Sequence, residues 1–296
     1  RVLSAVQKIC SEDLNMNKII SIVKYEFSET IRRPKMLLVL FFLVIVYESN
    51  ISPLRELCVK TGLSLNAFEP FVLMCTLSVN IILIPLIFAV MLSGFPSCKS
   101  DYFRMIRISR RSWVAGEISF IFLISFVMMI ALLIGTILPI ADLAVFSNKW
   151  CGVMTSLLDY DEELYYKNLN FMLKASILTH SRPVGAMIYS FLIMWLNLIV
   201  SGLLILLGTI TSKRMAFFSS TLAIAFIGGC LTDFSTGFKW VFPIAHTQLG
   251  LHFNSIFSKT NFPVFASYLY LAAAVIVLII LCGRLVNKTM FIGETV

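Results

Sequence analysis

The sequence predicts an all-α integral membrane protein with six transmembrane helices and both termini on the cytoplasmic side. An N-terminal amphipathic interface helix precedes the first span, and a sizeable external loop joins spans three and four. Three observations carry this prediction. First, 58% of the 296 residues are hydrophobic and only 14% are charged, with a mean hydropathy of +0.89. Soluble domains run at about 45–50% apolar and about 25% charged residues, so an ordinary soluble enzyme, a disordered chain and a basic nucleic-acid module are excluded. Second, the chain holds six apolar stretches of near-spanning length. Third, basic residues alternate between the segments that join them.

A helix rises about 1.5 Å per residue, so about 20 apolar residues cross the roughly 30 Å hydrocarbon layer. By that measure the spans are 36–53, 71–93, 118–141, 187–210, 215–231 and 264–283. The first turns polar at its outer end after Tyr47, and the fifth is short. The segment before span one, the loops 94–117 and 211–214, and the tail carry 16 Lys/Arg against 7 Asp/Glu. The loops 48–70, 142–186 and 232–263 carry 8 against 9. Positive residues mark the cytoplasmic side. The alternation closes with an even number of spans, which places the chain in a cell membrane and fits a bacterial cytoplasmic membrane.

No repeat or Gly/Ser-rich linker divides the chain, so 36–288 forms one membrane domain, followed by a short tail over 289–296. Residues 1–15 read as an extension without a complete helix signal, and Met16 as a natural start. Over 16–35, Ile20, Val23, Phe27 and Ile31 fall at helical spacing opposite Lys18, Ser21, Tyr25, Ser28 and Arg32, with Pro34 ending the helix. Such a helix lies in the inner interface rather than crossing it. In the external loop 142–186, Leu157, Leu164, Phe171 and Leu178 recur every seven residues, which predicts one amphipathic helix in an ordered subdomain. The loop 232–263 is rich in Phe and Trp and is expected to dip into the outer headgroup layer.

Reactive chemistry is sparse. The seven cysteines form no CxxC pair and read as apolar fillers. No zinc HExxH, GxSxG elbow or GxxxxGK[ST] phosphate loop occurs, so neither catalysis nor a bound cofactor or metal is expected of this chain. Glu48 is the one ionisable side chain of consequence inside the marked spans, and it sits near the outer interface. His246 and His252, with Asp233, are spaced for no standard metal pattern. The acidic run Asp159, Asp161, Glu162 and Glu163 reads as a solvated face. Polar points within the spans are Asn80, Ser125, Asn197 and Ser201, which would mark an otherwise apolar path suited to an amphiphile.

The loop 94–117 is the second informative cytoplasmic element after the interface helix. It puts Arg104, Arg107 and Arg111 on one helical side and Tyr102, Met105, Ser109 and Trp113 on the other. Topological charge and a docking helix for a cytoplasmic partner both account for it on chemistry alone. The basic interface helix, this loop, six spans with both ends inside, the TSKR hairpin between spans four and five and the long segment before span six together resemble the type-2 ABC-transporter permease family over about 16–288. Asp101 stands where that family commonly has an acidic residue opening its coupling segment, and RISRRSWVAGE follows. Asp101 replaces the more usual Glu, and Arg110 and Arg111 stand where a Ser-Pro pair is often seen.

The resemblance implies a permease subunit of an exporter that moves an amphiphilic substrate outward. Its partners would be cytoplasmic ABC ATPase subunits carrying ATP and Mg, a second permease copy or paralogue, and the lipid bilayer, with no nucleic acid. Asp101, Arg104, Arg107, Arg110, Arg111 and Trp113 would form the ATPase-coupling helix, and Asn80, Ser125, Asn197 and Ser201 would be polar residues of the translocation path. The competing expectation is a non-transporting accessory, immunity or sensor membrane protein, which would share the same topology.

Overall fold

A computed structural model describes residues 2–95, 109–157, 161–168, 172–234, 237–254 and 260–286, without the side chains of 2–15, 164, 165 and 167. Helix α1 runs over Val2–Arg32 without interruption, so the helix expected from 16 extends back through the presumed extension. Once a turn is nucleated, adding residues such as Ala5, Gln7 and Leu14 costs little. Ile22, Glu26 and Thr30 are buried along one face of α1, while Ile20 and Ile31 stay exposed on another. After a 3₁₀ turn at Pro34–Met36, α2 (Leu37–Val46) passes through a π-helical turn at Tyr47–Ile51 into α3 (Ser52–Thr61). Pro53 lacks an N–H and its ring crowds the carbonyl four residues back, which accounts for the widened turn. The helix therefore continues eight residues beyond the expected end of span one.

Among the described residues, five helical segments are long and apolar enough to cross a membrane: Pro34–Thr61, Arg110–Ile140, Pro183–Ile210, Arg214–Leu231 and Val264–Leu285. The chain is a multi-pass membrane protein. The stretch expected as a continuous second span is instead broken into α4 (Glu69–Met74) and α5 (Ser78–Met91), with Leu77 in an extended conformation between them. At 14 residues α5 is about 21 Å long.

Helix α6 (Arg110–Ile137) follows, and after the outer lobe described below come α10 (Pro183–Ile210) and α11 (Arg214–Leu231). Helix α10 is the centre of the bundle, touching α4, α5, α6 and α11 and the final helix, Val264–Leu285. From Met194 onward it is largely buried, with apolar residues on most sides, as suits a helix packed among neighbours. Ile188, Tyr189 and Leu192 near its start are exposed. Without lipid-exclusion energy between helices, close packing of small residues drives association. Gly202 of α10 admits Ile121 of α6, whose methyl would lie 2.6 Å from any added Cβ, and Gly229 of α11 admits Ile82 of α5.

Between α6 and α10 the outer lobe is built from short pieces. A parallel two-stranded ladder pairs β1 (Leu65–Asn66) with β2 (Ala144–Val145), in register Leu65 to Ala144. Helices α7 (Gly152–Thr155), α8 (Glu162–Lys167) and α9 (Ala175–His180) follow. The single amphipathic helix expected here does not form: Asn168 sits in a turn and Lys174 is extended. Leu157, Met172, Leu173 and Ile177 are nonetheless buried, so the lobe has an apolar interior. The segment before the last helix carries a 3₁₀ turn (Gly237–Val241), α12 (Pro243–Thr247) and α13 (Leu249–His252), and α14 (Val264–Leu285) ends the bundle. Residues 244–250 are buried in protein, which corrects the expectation of a loop lying in headgroups; Phe234, Phe238 and Val241 are the exposed apolar residues there.

Candidate functional site

Long-range polar contacts gather the ends of the helices into two sets. At the basic end, the Lys35 ammonium donates to the Ser93 carbonyl at 2.7 Å and to its hydroxyl at 2.6 Å. This fastens the hinge after α1 to the mouth of the basic loop. Helix α1 also packs along α6, with Ile22 seated against Gly116. Helix α6 opens at Ser109, whose φ is +83° and whose Oγ accepts from Ser112 N at 3.4 Å. Arg110 and Arg111 are exposed on its first turn, whereas Trp113 is 1% exposed. Trp113 is thus a core residue at the start of α6 and not part of an exposed surface. Asp101, Arg104 and Arg107 lie outside the described residues.

At the opposite end, Arg55 donates to Asp142 at 2.6 Å and to the Pro139 carbonyl at 2.7 Å, joining α3 to the end of α6. In the same set of contacts, Glu69 is fully buried. Its carboxyl accepts from Asn66 N at 3.0 Å, Cys151 N at 2.8 Å and Cys151 Sγ at 2.6 Å. The Asn66 amide in turn donates to the Ser147 and Lys149 carbonyls. Burial pushes the Glu69 pKa up, opposed by the bonds from Cys151 and Asn66. The same burial, with the Glu69 charge beside it, raises the Cys151 thiol. Glu48, by contrast, is exposed.

The broken second helix is the most distinctive feature of this end. Residues 71–76 are buried, so the carbonyls left free just before the break are covered by protein. Non-helical backbone at such depth is tolerated only where protein or a cavity surrounds it. The Gln248 amide supplies a donor to the Thr76 carbonyl at 3.1 Å, the Thr76 hydroxyl bonds Leu73 O, and Ser78 donates to Asp233 at 2.9 Å. The segment 237–254 therefore plugs the break.

That plug is held by two buried histidines. His246 donates from Nε2 to the Trp240 carbonyl at 2.8 Å, which leaves Nδ1 to accept from Ser267 on α14 at 2.8 Å. Its ring stacks on Tyr270 at 4.4 Å. His252 faces carbonyl oxygens from both nitrogens, Phe262 O at 3.0 Å and His246 O at 3.1 Å. A neutral ring donates only one of these, so both bonds are made only by the protonated form. Burial pushes His246 down to about 4 and also lowers His252, against the pull of the carbonyls. All four ring nitrogens are engaged with protein oxygens, and the described residues contain no cluster of His, Cys, Asp and Glu able to hold a metal.

Below the plug lies a cavity of about 10 Å³, bordered by Pro85, Asn197, Ser201, Thr221 and Ile244, at the lower limit for one water. Asn197 and Ser201 are one turn apart on α10 and both line it. Asn80 is buried on α5, five residues before Pro85, and its amide nitrogen has no hydrogen-bond partner among the described residues. Ser125 is elsewhere: it accepts from Trp195 Nε1 at 3.0 Å. Trp195 is about 200° around α10 from Asn197, so the four expected path residues do not share one lumen. Neither a known family model, nor a curated protein, nor a solved structure matches the chain.

Proposed function

We propose that the chain is the membrane-spanning permease subunit of an ATP-binding-cassette exporter, moving an amphiphile outward with ATP hydrolysed on a separate subunit. In this reading it has six spans, the second of them interrupted between α4 and α5, and both termini face the cytoplasm of a cell membrane. Two polar contacts agree with that topology: Arg55 with Asp142 and Glu69 with Cys151 each join two loops that the charge distribution assigns to one side. The observation that carries the functional reading is the mechanical continuity of the basic end. One helix packs along α6, and its hinge is bolted to the start of the loop that leads into α6. Motion imposed on that loop by a partner would pass directly to the first three spans.

Two further features support it. Arg110 and Arg111 open α6 at the positive end of its dipole, where acidic residues are the stabilising choice; they stay exposed there, as a partner-facing or inner-surface role requires. A discontinuous helix covered by a buried segment is the kind of backbone that membrane carriers use at substrate paths. Co-purification tests the reading. The native chain, solubilised from its own membranes, is expected to bring down a nucleotide-binding subunit. Arg104→Glu with Arg107→Glu is expected to insert normally and lose that subunit, since like charges across an interface can cost several kcal/mol. If no ATPase accompanies the native chain, the permease reading fails and the non-transporting accessory or sensor reading takes its place.

A further inference from the structure

A polar pocket lies just before the start of α10, and an apolar groove opens along the first turns of that helix. The pocket, about 460 Å³, is lined by Lys149, Trp150, Thr155, His180, Ser181 and Arg182, with no acidic residue among its walls. Lys149 and Arg182 are exposed and make no ion pair among the described residues. The site is rigidly framed: Trp150 Nε1 donates to Ser181 O at 2.7 Å, tying the lobe to the start of α10. The His180 ring stacks on Phe253 at 4.9 Å and donates from Nδ1 to Ser176 O at 2.9 Å, while Nε2 is buried, so His180 is a wall of the pocket and its cations are Lys149 and Arg182. Arg182 is the N-cap of α10 and its side chain caps no backbone N–H, so the positive end of a 28-residue helix points the same way.

The groove, about 500 Å³, opens between α10 and α14 and is walled by Gly185, Ile188, Tyr189, Leu192, Phe265 and Tyr268. Arg182, Gly185, Tyr189 and Leu192 follow one another at helical spacing, so pocket and groove share a stripe of α10. From Arg182 to Leu192 is ten residues, about 15 Å, which is one leaflet of a hydrocarbon layer about 30 Å thick.

We infer that this stripe is a binding site for an amphiphile with a phosphate or carboxylate head, the head between Lys149 and Arg182 in the pocket and the tail against Gly185, Tyr189 and Leu192. Arg and Lys suit such anions through charge-assisted hydrogen bonds, and a glycine at the groove's top leaves room where the tail leaves the head. A scattered basic fringe would contact headgroups without an adjoining slot for the chain. The site names the substrate class of the exporter reading, and it is measured on this chain alone, so loss of the ATPase partnership would not remove it.

The test places the full chain in nanodiscs of zwitterionic phosphatidylcholine and titrates phosphatidylglycerol carrying a nitroxide near the top of one acyl chain. Quenching of Trp150 is read as the difference between the native chain and Trp150→Phe. The inference expects saturable quenching by the anionic analogue and little by the same label on phosphatidylcholine. Lys149→Ala with Arg182→Ala should raise the half-saturation about tenfold, equivalent to about 1.4 kcal/mol, and Lys149→Arg with Arg182→Lys should restore it. Leu192→Trp, which fills the groove, should weaken the lipid while leaving competition by inorganic phosphate unchanged. Equal quenching by both lipids, or an unshifted half-saturation in the double alanine variant, would overturn the site. Inorganic phosphate competing as strongly as the lipid would reduce it to a plain anion site and overturn the amphiphile assignment.

Discussion

Glu69→Ala is the substitution expected to hurt the folded state most for the fewest atoms removed. The carboxyl accepts two backbone N–H groups, from Asn66 and Cys151, and the Cys151 thiol, in a fully buried setting. Alanine leaves both backbone donors buried without an acceptor, at about 1–3 kcal/mol each, so the loss is about 2–6 kcal/mol before any cavity cost. A shift of 1 kcal/mol moves the Tm of a domain of this size class by about 2–4 °C, which sets the expected fall at about 4 °C or more. Glu69→Gln keeps one acceptor oxygen and should lose roughly half as much. The sign of the pH dependence is also defined. Burial raises the carboxyl above 4.5, so the folded chain holds this proton more tightly than the unfolded one. The resulting stabilisation is complete below about 4.5 and fades as pH rises through the folded value. Thermal unfolding in detergent, with limited proteolysis of the outer lobe, measures both. A Glu69→Ala protein that unfolds within about 1 °C of the parent would refute the argument, because it would mean the three donors find other acceptors.

His246 behaves oppositely: its pKa falls from 6.5 to about 4, so its stabilisation is full above about 6.5 and is lost between there and 4. Moving from pH 7 to pH 5 should cost about 2 kcal/mol, and His246→Gln should flatten that dependence; equal pH sensitivity in both proteins would contradict the assignment. Gly229→Leu should destabilise by about 1–3 kcal/mol, since a side chain there meets Ile82 on α5; unchanged thermal unfolding would mean that α11 and α5 are not in contact. Lys35→Met removes two charge-assisted bonds to Ser93 and should speed tryptic cleavage of the basic loop in inverted vesicles; an unchanged rate would show that the hinge does not anchor it.

Spans three to six could be placed from the sequence because each is a long apolar run bounded by charge or proline, and hydropathy responds to little else. The second was misread for the same reason. A broken helix and a continuous one have the same composition, and what stabilises the break is Gln248, 172 residues away from Thr76. One local signal was available: Thr76, Ser78 and Asn80 alternate with apolar residues, a period that fits no single helical face. The seven-residue pattern in the outer lobe is real, and Leu157 is buried, but Asn168 and the extended Lys174 divide it into pieces too short for a heptad to specify. Glu69 carried one local signal, its place three residues after Asn66 ahead of an apolar run, the spacing of a capping box; its other partner, Cys151, is 82 positions away and left no trace in the sequence. The histidine pair was visible only as six-residue spacing; its meaning depends on carbonyls that the fold supplies. The basic pocket draws Lys149 and Arg182 together from 33 positions apart, and nothing local links them.

Sidedness underlies the whole account, since the partner surface and the amphiphile site are assigned to opposite faces of the membrane. Single cysteines at Glu162 in the outer lobe and at Ser212 in the hairpin between α10 and α11, both exposed, can be labelled in intact cells by an impermeant maleimide, with the unaltered chain as background. The account predicts labelling at position 162 in intact cells and at position 212 only after permeabilisation. Labelling at 212 but not 162 from outside would invert the molecule and contradict it.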